Sequence, residues 1–121
     1  MCTSVFAATC PMGPIHYTVG EIDYKGWQVN PGLKVNDTAI LTFAGVIITT
    51  DNNKNKAQCV YSPDGTIEGY IQPQGSGDFD GVALVRGYYT PDLINSHNWI
   101  TLPSFGSICR GTEKECLFKE V

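Results

Sequence analysis

The chain has 121 residues and a formal net charge of −4, with 42% apolar and 17% charged residues. That length fits one domain with a modest core, and the aromatic and β-branched residues recurring throughout exclude intrinsic disorder. Its eight Lys and Arg, nowhere denser than Lys54-Asn55-Lys56, exclude a phosphate-tracking nucleic-acid surface, and no stretch approaches the roughly 18 apolar residues of a membrane-spanning helix.

Residues 1–8 lack both a basic segment and a full apolar segment. They read either as the stump of a secretory signal or as ordinary mature sequence. Residues 1–14 are expected as a loosely ordered start to a single domain spanning 1–121. Residues 15–19 alternate and stop at Gly20. Residues 39–43 and 46–50 are β-branched and apolar, separated by Ala44-Gly45, and predict either a hairpin or one bent strand. A polar loop over 51–56 leads to a strand at 57–61 and a turn at Ser62-Pro63-Asp64-Gly65, where Pro fixes φ and Gly supplies positive φ. Strand character returns over 66–71, gives way to a Gly-rich loop over 72–81, and returns at 82–85 and Tyr88-Tyr89. A single helical turn is expected over 90–94, with Thr90 as cap and Pro91 at the first helical position. Residues 99–102 and 117–121 complete the set. About eight short strands, frequent turn signals and no long 3.6-residue period predict an all-β fold, a single disulfide-braced β-sandwich or Greek-key barrel.

Five cysteines, Cys2, Cys10, Cys59, Cys109 and Cys116, in so short a chain point to an oxidising, extracellular compartment. There is no Cys-x-x-Cys, and His16 and His97 are far apart in sequence, so zinc-ligand spacing is absent.

Between Tyr17 and Phe43 a pattern emerges. Tyr17-Thr18-Val19-Gly20 is followed by Tyr24-Lys25-Gly26-Trp27, then by Leu33-Lys34-Val35-Asn36-Asp37 and an apolar strand from Thr38. This segment resembles the phytocyanins, secreted plant proteins with a cupredoxin-like fold, with Leu33 in place of a common Phe and Asn36 in place of Gly. The resemblance resumes faintly at Ile100-Thr101-Leu102-Pro103, at Ile108-Cys109 and at Cys116, covering about half the chain.

A blue-copper centre needs two imidazoles, one thiolate and a weak axial ligand. At the positions the resemblance assigns to them, residues 44–51 contain no His, Glu115 stands where the second His belongs and the axial position falls near Glu120. Only Cys109 is of a ligand type. The resemblance therefore implies a copper-free member, with no cofactor and no metal. It also implies a Cys59–Cys116 disulfide. Cys2 and Cys10 are then natural partners, and Cys109 is left as a spare thiol. The competing arrangement joins Cys109 to Cys116 and Cys59 to Cys10.

Other constellations are sparse. Asp78 and Asp80 alternate in a glycine-rich loop and offer paired carboxylates for acid/base work or calcium, although calcium needs more oxygen ligands. Ser104, Ser107 and Cys109 lie downstream of His97, which leaves a Cys–His nucleophilic pair open. Gly75-Ser76-Gly77 is too short for a phosphate loop and no lysine follows it. Asn36-Asp37-Thr38 fits the N-glycosylation acceptor pattern. Tyr88-Tyr89 with Trp99 offers an aromatic platform.

The function expected is that of a secreted, non-enzymatic binding or structural module that contacts an extracellular protein or glycan, with neither nucleic acid nor a membrane span involved. A secreted defence or effector protein that antagonises an enzyme is the alternative, with 51–56 and 72–81 as contact loops. A hydrolase using Asp78 and Asp80, or Cys109 with His97, is the third reading.

Overall fold

A period-two alternation of apolar and polar side chains gives a strand one buried face, and most segments with that pattern are strands here. The computed structural model describes residues 8–32, 38–51, 54–71, 79–102 and 106–121. Its strands are β1 (Ile15–Tyr17), β2 (Asp23–Tyr24), β3 (Trp27–Pro31), β4 (Ala39–Asp51), β5 (Lys54–Ser62), β6 (Val82–Gly87), β7 (Tyr89–Pro91), β8 (Trp99–Leu102), β9 (Gly106–Cys109) and β10 (Phe118–Glu120). The main sheet runs β2-β3-β6-β5-β4-β9-β8, with β1 paired to the start of β4, while β7 and β10 form a second, two-stranded sheet. Every pairing is antiparallel. The fold is all-β and sandwich-like.

Ala44-Gly45 does not turn the chain. Residues 39–51 are one strand, and its register against β5 slips between Phe43 and Gly45. The extra residue of this bulge resets the alternation. Leu41 and Phe43 before it and Val46 and Ile48 after it all enter the same buried cluster, whereas Ala44 and Ile47 enter another. Gly45 has φ +152°, and a Cβ there would lie 2.5 Å from the Cys109 carbonyl oxygen, so only glycine lets β9 approach.

The larger core covers one face of the main sheet. Along one row, Trp99, Cys109, Val46, Cys59, Leu84 and Val29 are successive cross-strand partners from β8 to β3. This face is covered by the second sheet and by the chain around Cys10. Trp27 stacks with Tyr89 at 6.2 Å and meets Phe118 edge-on at 6.1 Å. In place of the loosely ordered segment expected over 1–14, residues 8–14 are tied down: Ala8 and Phe118 exchange backbone hydrogen bonds, and Cys10 is bonded to Cys59. Tyr61 hydroxyl donates to the Pro11 carbonyl at 2.5 Å, and Gly13 N–H donates to the buried Glu113 carboxylate at 2.6 Å. Burial pushes the Tyr61 hydroxyl well above the ordinary phenol range, and the Glu113 carboxylate adds to the shift.

The opposite face carries a smaller core of Ala44, Ile47, Val60, Ile67, Phe79 and Ile108. The strand expected over 66–71 is instead a turn, with Tyr70 N–H and Ile71 N–H both bonded to the Ile67 carbonyl. Folding back in this way lays Ile67 on the sheet and brings the Tyr70 hydroxyl to the Gln58 amide oxygen. The helical turn expected over 90–94 is also absent. Asp92 rather than Thr90 organises that segment, accepting from the Ile94 and Asn95 amides at 3.2 and 3.1 Å, an Asx-type turn.

The disulfides are Cys10–Cys59 and Cys109–Cys116. The Cys59–Cys116 bridge implied by the phytocyanin resemblance does not form, and Cys109 is not a spare thiol. The reason lies in the sheet: Cys59 and Cys109 stand two strands apart with Val46 between them, and each faces a different covering segment. Cys2 lies outside the described residues, and its expected partner Cys10 is already bonded.

Candidate binding surface

The residues singled out for chemistry are scattered. Asp80 is exposed and lines a cavity of about 250 Å³ with Ser62, Pro63, Asp64, Thr66 and Phe79. Asp78, Ser104 and Asn36 lie outside the described residues. Asp64 is held by Thr66 hydroxyl and amide at 2.9 and 3.2 Å and by Ser62 hydroxyl at 3.2 Å. These donors, Thr66 foremost, keep its carboxyl below the usual carboxylate range. The carboxylate thus closes a turn.

His97 lines a polar cleft of about 330 Å³ with Asn95, Ser96, Asn98, Lys114 and Glu115. It has no thiolate to act with, because Cys109 is bonded to Cys116. Ser107 hydroxyl faces Thr101 hydroxyl at 3.5 Å. Glu115, at the position where the resemblance places a copper ligand, accepts from the Thr112 amide at 2.9 Å, and Glu120 pairs with Tyr89 in the second sheet. His16 is exposed on β1 opposite Ile40. Among the described residues no three His, Cys, Asp or Glu come together in a group that could hold a metal, and no helix is long and apolar enough to cross a membrane.

The aromatic platform expected from Tyr88, Tyr89 and Trp99 separates. Tyr89 is in the core, and Trp99 packs against it with its indole N–H donating to the Leu117 carbonyl at 2.8 Å. Tyr88 is 61% exposed. It is also one of two non-glycine residues at positive φ, at 69°, a conformation that is costly for a bulky side chain. Two backbone hydrogen bonds hold it there: Tyr88 N–H donates to the Asn55 carbonyl at 2.5 Å and Val121 N–H to the Tyr88 carbonyl at 2.9 Å.

Around Tyr88, at one end of the main sheet, cations gather on neighbouring strands. Lys56 pairs with Gly87, so it stands beside the point where Tyr88 leaves β6. Arg86 pairs with Ala57, one residue along, and its guanidinium lies 5.6 Å from the centroid of the Trp27 ring. Next across the sheet, the β2–β3 connection is the two-residue turn Lys25-Gly26 with φ of 51° and 88°, the left-handed pair that a type I′ hairpin requires. Lys25 ammonium lies 5.5 Å from the Tyr24 ring centroid. Lys25, Lys56 and Arg86 are exposed, and among the described residues none makes a salt bridge. Two carboxylates lie near: Asp23 is one residue further down β2, and Glu120 is next to Val121 on β10.

No family model, no curated protein and no solved structure matches this chain.

The other end of the sheet has the opposite character. Asp64 follows the end of β5, Asp80 precedes the start of β6, and Glu113 and Glu115 follow the end of β9. Antiparallel pairing puts those three strand ends together. Glu68 is taken by a two-pronged ion pair with Arg110, at 2.8 and 3.2 Å. The net charge of −4 therefore conceals a polarised surface, with cations over aromatic rings at one end. Composition points the other way, because Lys25, Lys56 and Arg86 are dispersed in sequence and converge only through the β3-β6-β5 register.

Proposed function

We propose that this chain is a secreted, non-enzymatic binding module that works by extracellular contact through the rim around Tyr88. The observation that carries this reading is Tyr88 itself, an exposed aromatic residue held by two hydrogen bonds in a backbone conformation that it adopts at a cost. Such strain is typical of residues whose placement serves recognition. The two disulfides support residence in an oxidising compartment. The phytocyanin resemblance adds nothing to this reading, since the bridge it implies is not the one the chain forms.

Tyr88→Gly is the discriminating variant, because glycine accepts the positive φ and only the ring is lost. Retention of the purified wild-type chain on an extracellular-matrix fraction, reduced in Tyr88→Gly at unchanged thermal stability, is the expected result. Equal retention of the two chains would remove Tyr88 from the reading, and stoichiometric capture of an enzyme with loss of its activity would favour the antagonist alternative.

A further inference from the structure

We infer that the rim formed by Tyr24, Lys25, Lys56, Arg86 and Tyr88 is a site for a linear acidic polysaccharide, one bearing carboxylate or sulfate groups along its length. The inference rests on reading the domain as a binding module and names the ligand class for that surface.

The rim pairs a cation with an aromatic ring three times. Lys25 lies over Tyr24, Arg86 lies over Trp27, and Lys56 stands opposite Gly87, beside Tyr88. Neighbouring strands in a sheet are about 4.8 Å apart, so the three pairs form a row across adjacent strands rather than one compact pocket. A row of that kind suits an extended polymer better than a small ligand. Aromatic faces accept the apolar faces of sugar rings, and cations between them meet the acidic substituents.

The cations are also partly ordered before binding. Stacking over a ring restricts the Arg86 and Lys25 side chains, which lowers the ordering cost that flexible basic side chains pay on association. Asp23 and Glu120 border the row and repel an anionic chain that strays from it, which favours one path across the strand ends. The carboxylates at the opposite end of the sheet act in the same sense by orienting the approach of a negatively charged polymer. Single-stranded nucleic acid also combines charge with stacking, but only three exposed cations serve this rim, too few for the long backbone track that such ligands require.

Affinity chromatography and titration on immobilised heparin, on polygalacturonate and on neutral dextran test the inference with the full disulfide-bonded chain. The expected result is salt-sensitive retention on at least one acidic polymer and none on dextran. The Lys56→Gln, Arg86→Gln double variant should flatten the slope of log affinity against log salt by about 1.4–2, one counterion-release step per cation removed. Tyr88→Gly should weaken binding at least about fivefold without changing that slope, while Arg86→Lys keeps most of it. Absence of retention on both acidic polymers overturns the inference, as do identical curves for wild type and the double variant, or tighter binding to a single-stranded oligonucleotide. Binding to dextran or to an extracellular protein that is lost in Tyr88→Gly would reject the acidic ligand and leave the binding-module reading intact. Loss of both kinds of binding would reject the two together.

Discussion

Cys59 and Cys109 face the same side of the main sheet on either flank of Val46, and each is disulfide-bonded to a different covering segment. Cys59 anchors the N-terminal segment through Cys10, and Cys109 anchors the C-terminal segment through Cys116. Those two segments meet in turn where Ala8 and Phe118 exchange backbone hydrogen bonds. The layer over the larger core is therefore held at both ends by covalent bonds and closed in the middle by hydrogen bonds.

The two bridges should differ in worth. Cys10–Cys59 spans 49 residues and Cys109–Cys116 spans 7, so chain-entropy arguments give about 4 kcal/mol for the first and about 2.4 kcal/mol for the second. Urea unfolding of the Cys10→Ala, Cys59→Ala variant should show the larger loss. Peptide mapping of the unreduced protein should recover Cys10 joined to Cys59 and Cys109 joined to Cys116, and a Cys59–Cys116 fragment would contradict the sheet geometry.

Gly45→Ala should lower stability by about 2–4 kcal/mol, because the added Cβ meets the Cys109 carbonyl at 2.5 Å and the residue is at positive φ. The damage should centre on the β4–β9 pairing, seen as lost hydrogen-exchange protection at Ile108 and Cys109. A variant that keeps wild-type stability would show that the bulge is not required for the close approach.

Glu113→Ala should cost about 1–3 kcal/mol, since it leaves the Gly13 N–H without its acceptor next to the buried Tyr61 ring. Glu113→Gln keeps an acceptor oxygen and should recover at least half of that loss. Tyr61→Phe, which removes only the hydroxyl bonded to Pro11, should cost about 1 kcal/mol. Thermal denaturation of the three variants checks the order.

Acid should destabilise the fold from about pH 4 downward. The Asp92 carboxyl lies below its usual range because the Asn95 side chain donates to it, with the Asn95 and Ile94 amides and Lys119 adding to the effect. Thr66 and Ser62 lower Asp64 in the same way, and Arg110 lowers Glu68. A carboxylate with a depressed folded-state pKa contributes its stability fully above the unfolded value near 3.9, and loses it as pH falls through the folded value. Melting temperatures between pH 6 and pH 2 should fall most steeply below pH 4 in the wild type and less steeply in Asp92→Asn. Equal slopes would exclude Asp92 as a source of the acid sensitivity.

Relieving the strain at Tyr88 gives a further check. Tyr88→Gly should be about 1 kcal/mol more stable than Tyr88→Ala, because only glycine occupies φ near 69° without a steric penalty. If alanine proved the more stable, the strain ascribed to this position would be absent.

Strand alternation, turn residues and cysteine content were enough to read an all-β, disulfide-braced domain from the chain, because these are local properties with periods of two to four residues. Residues 15–17, 57–61, 82–85 and 99–102 are strands as their alternation requires. Local pattern failed where a distant surface supplied the deciding contact. Residues 66–71 turn because Ile67 is drawn onto the second face of the sheet, and residues 39–51 stay one strand because a bulge can absorb Ala44-Gly45. Cysteine pairing depended on which covering segment each sheet cysteine faces, which no spacing encodes. The same holds for the rim. Each of Lys25, Lys56 and Arg86 looks like an isolated surface charge along the chain, and strand register alone sets them side by side with Tyr88, since antiparallel pairing brings together residues that are remote in sequence.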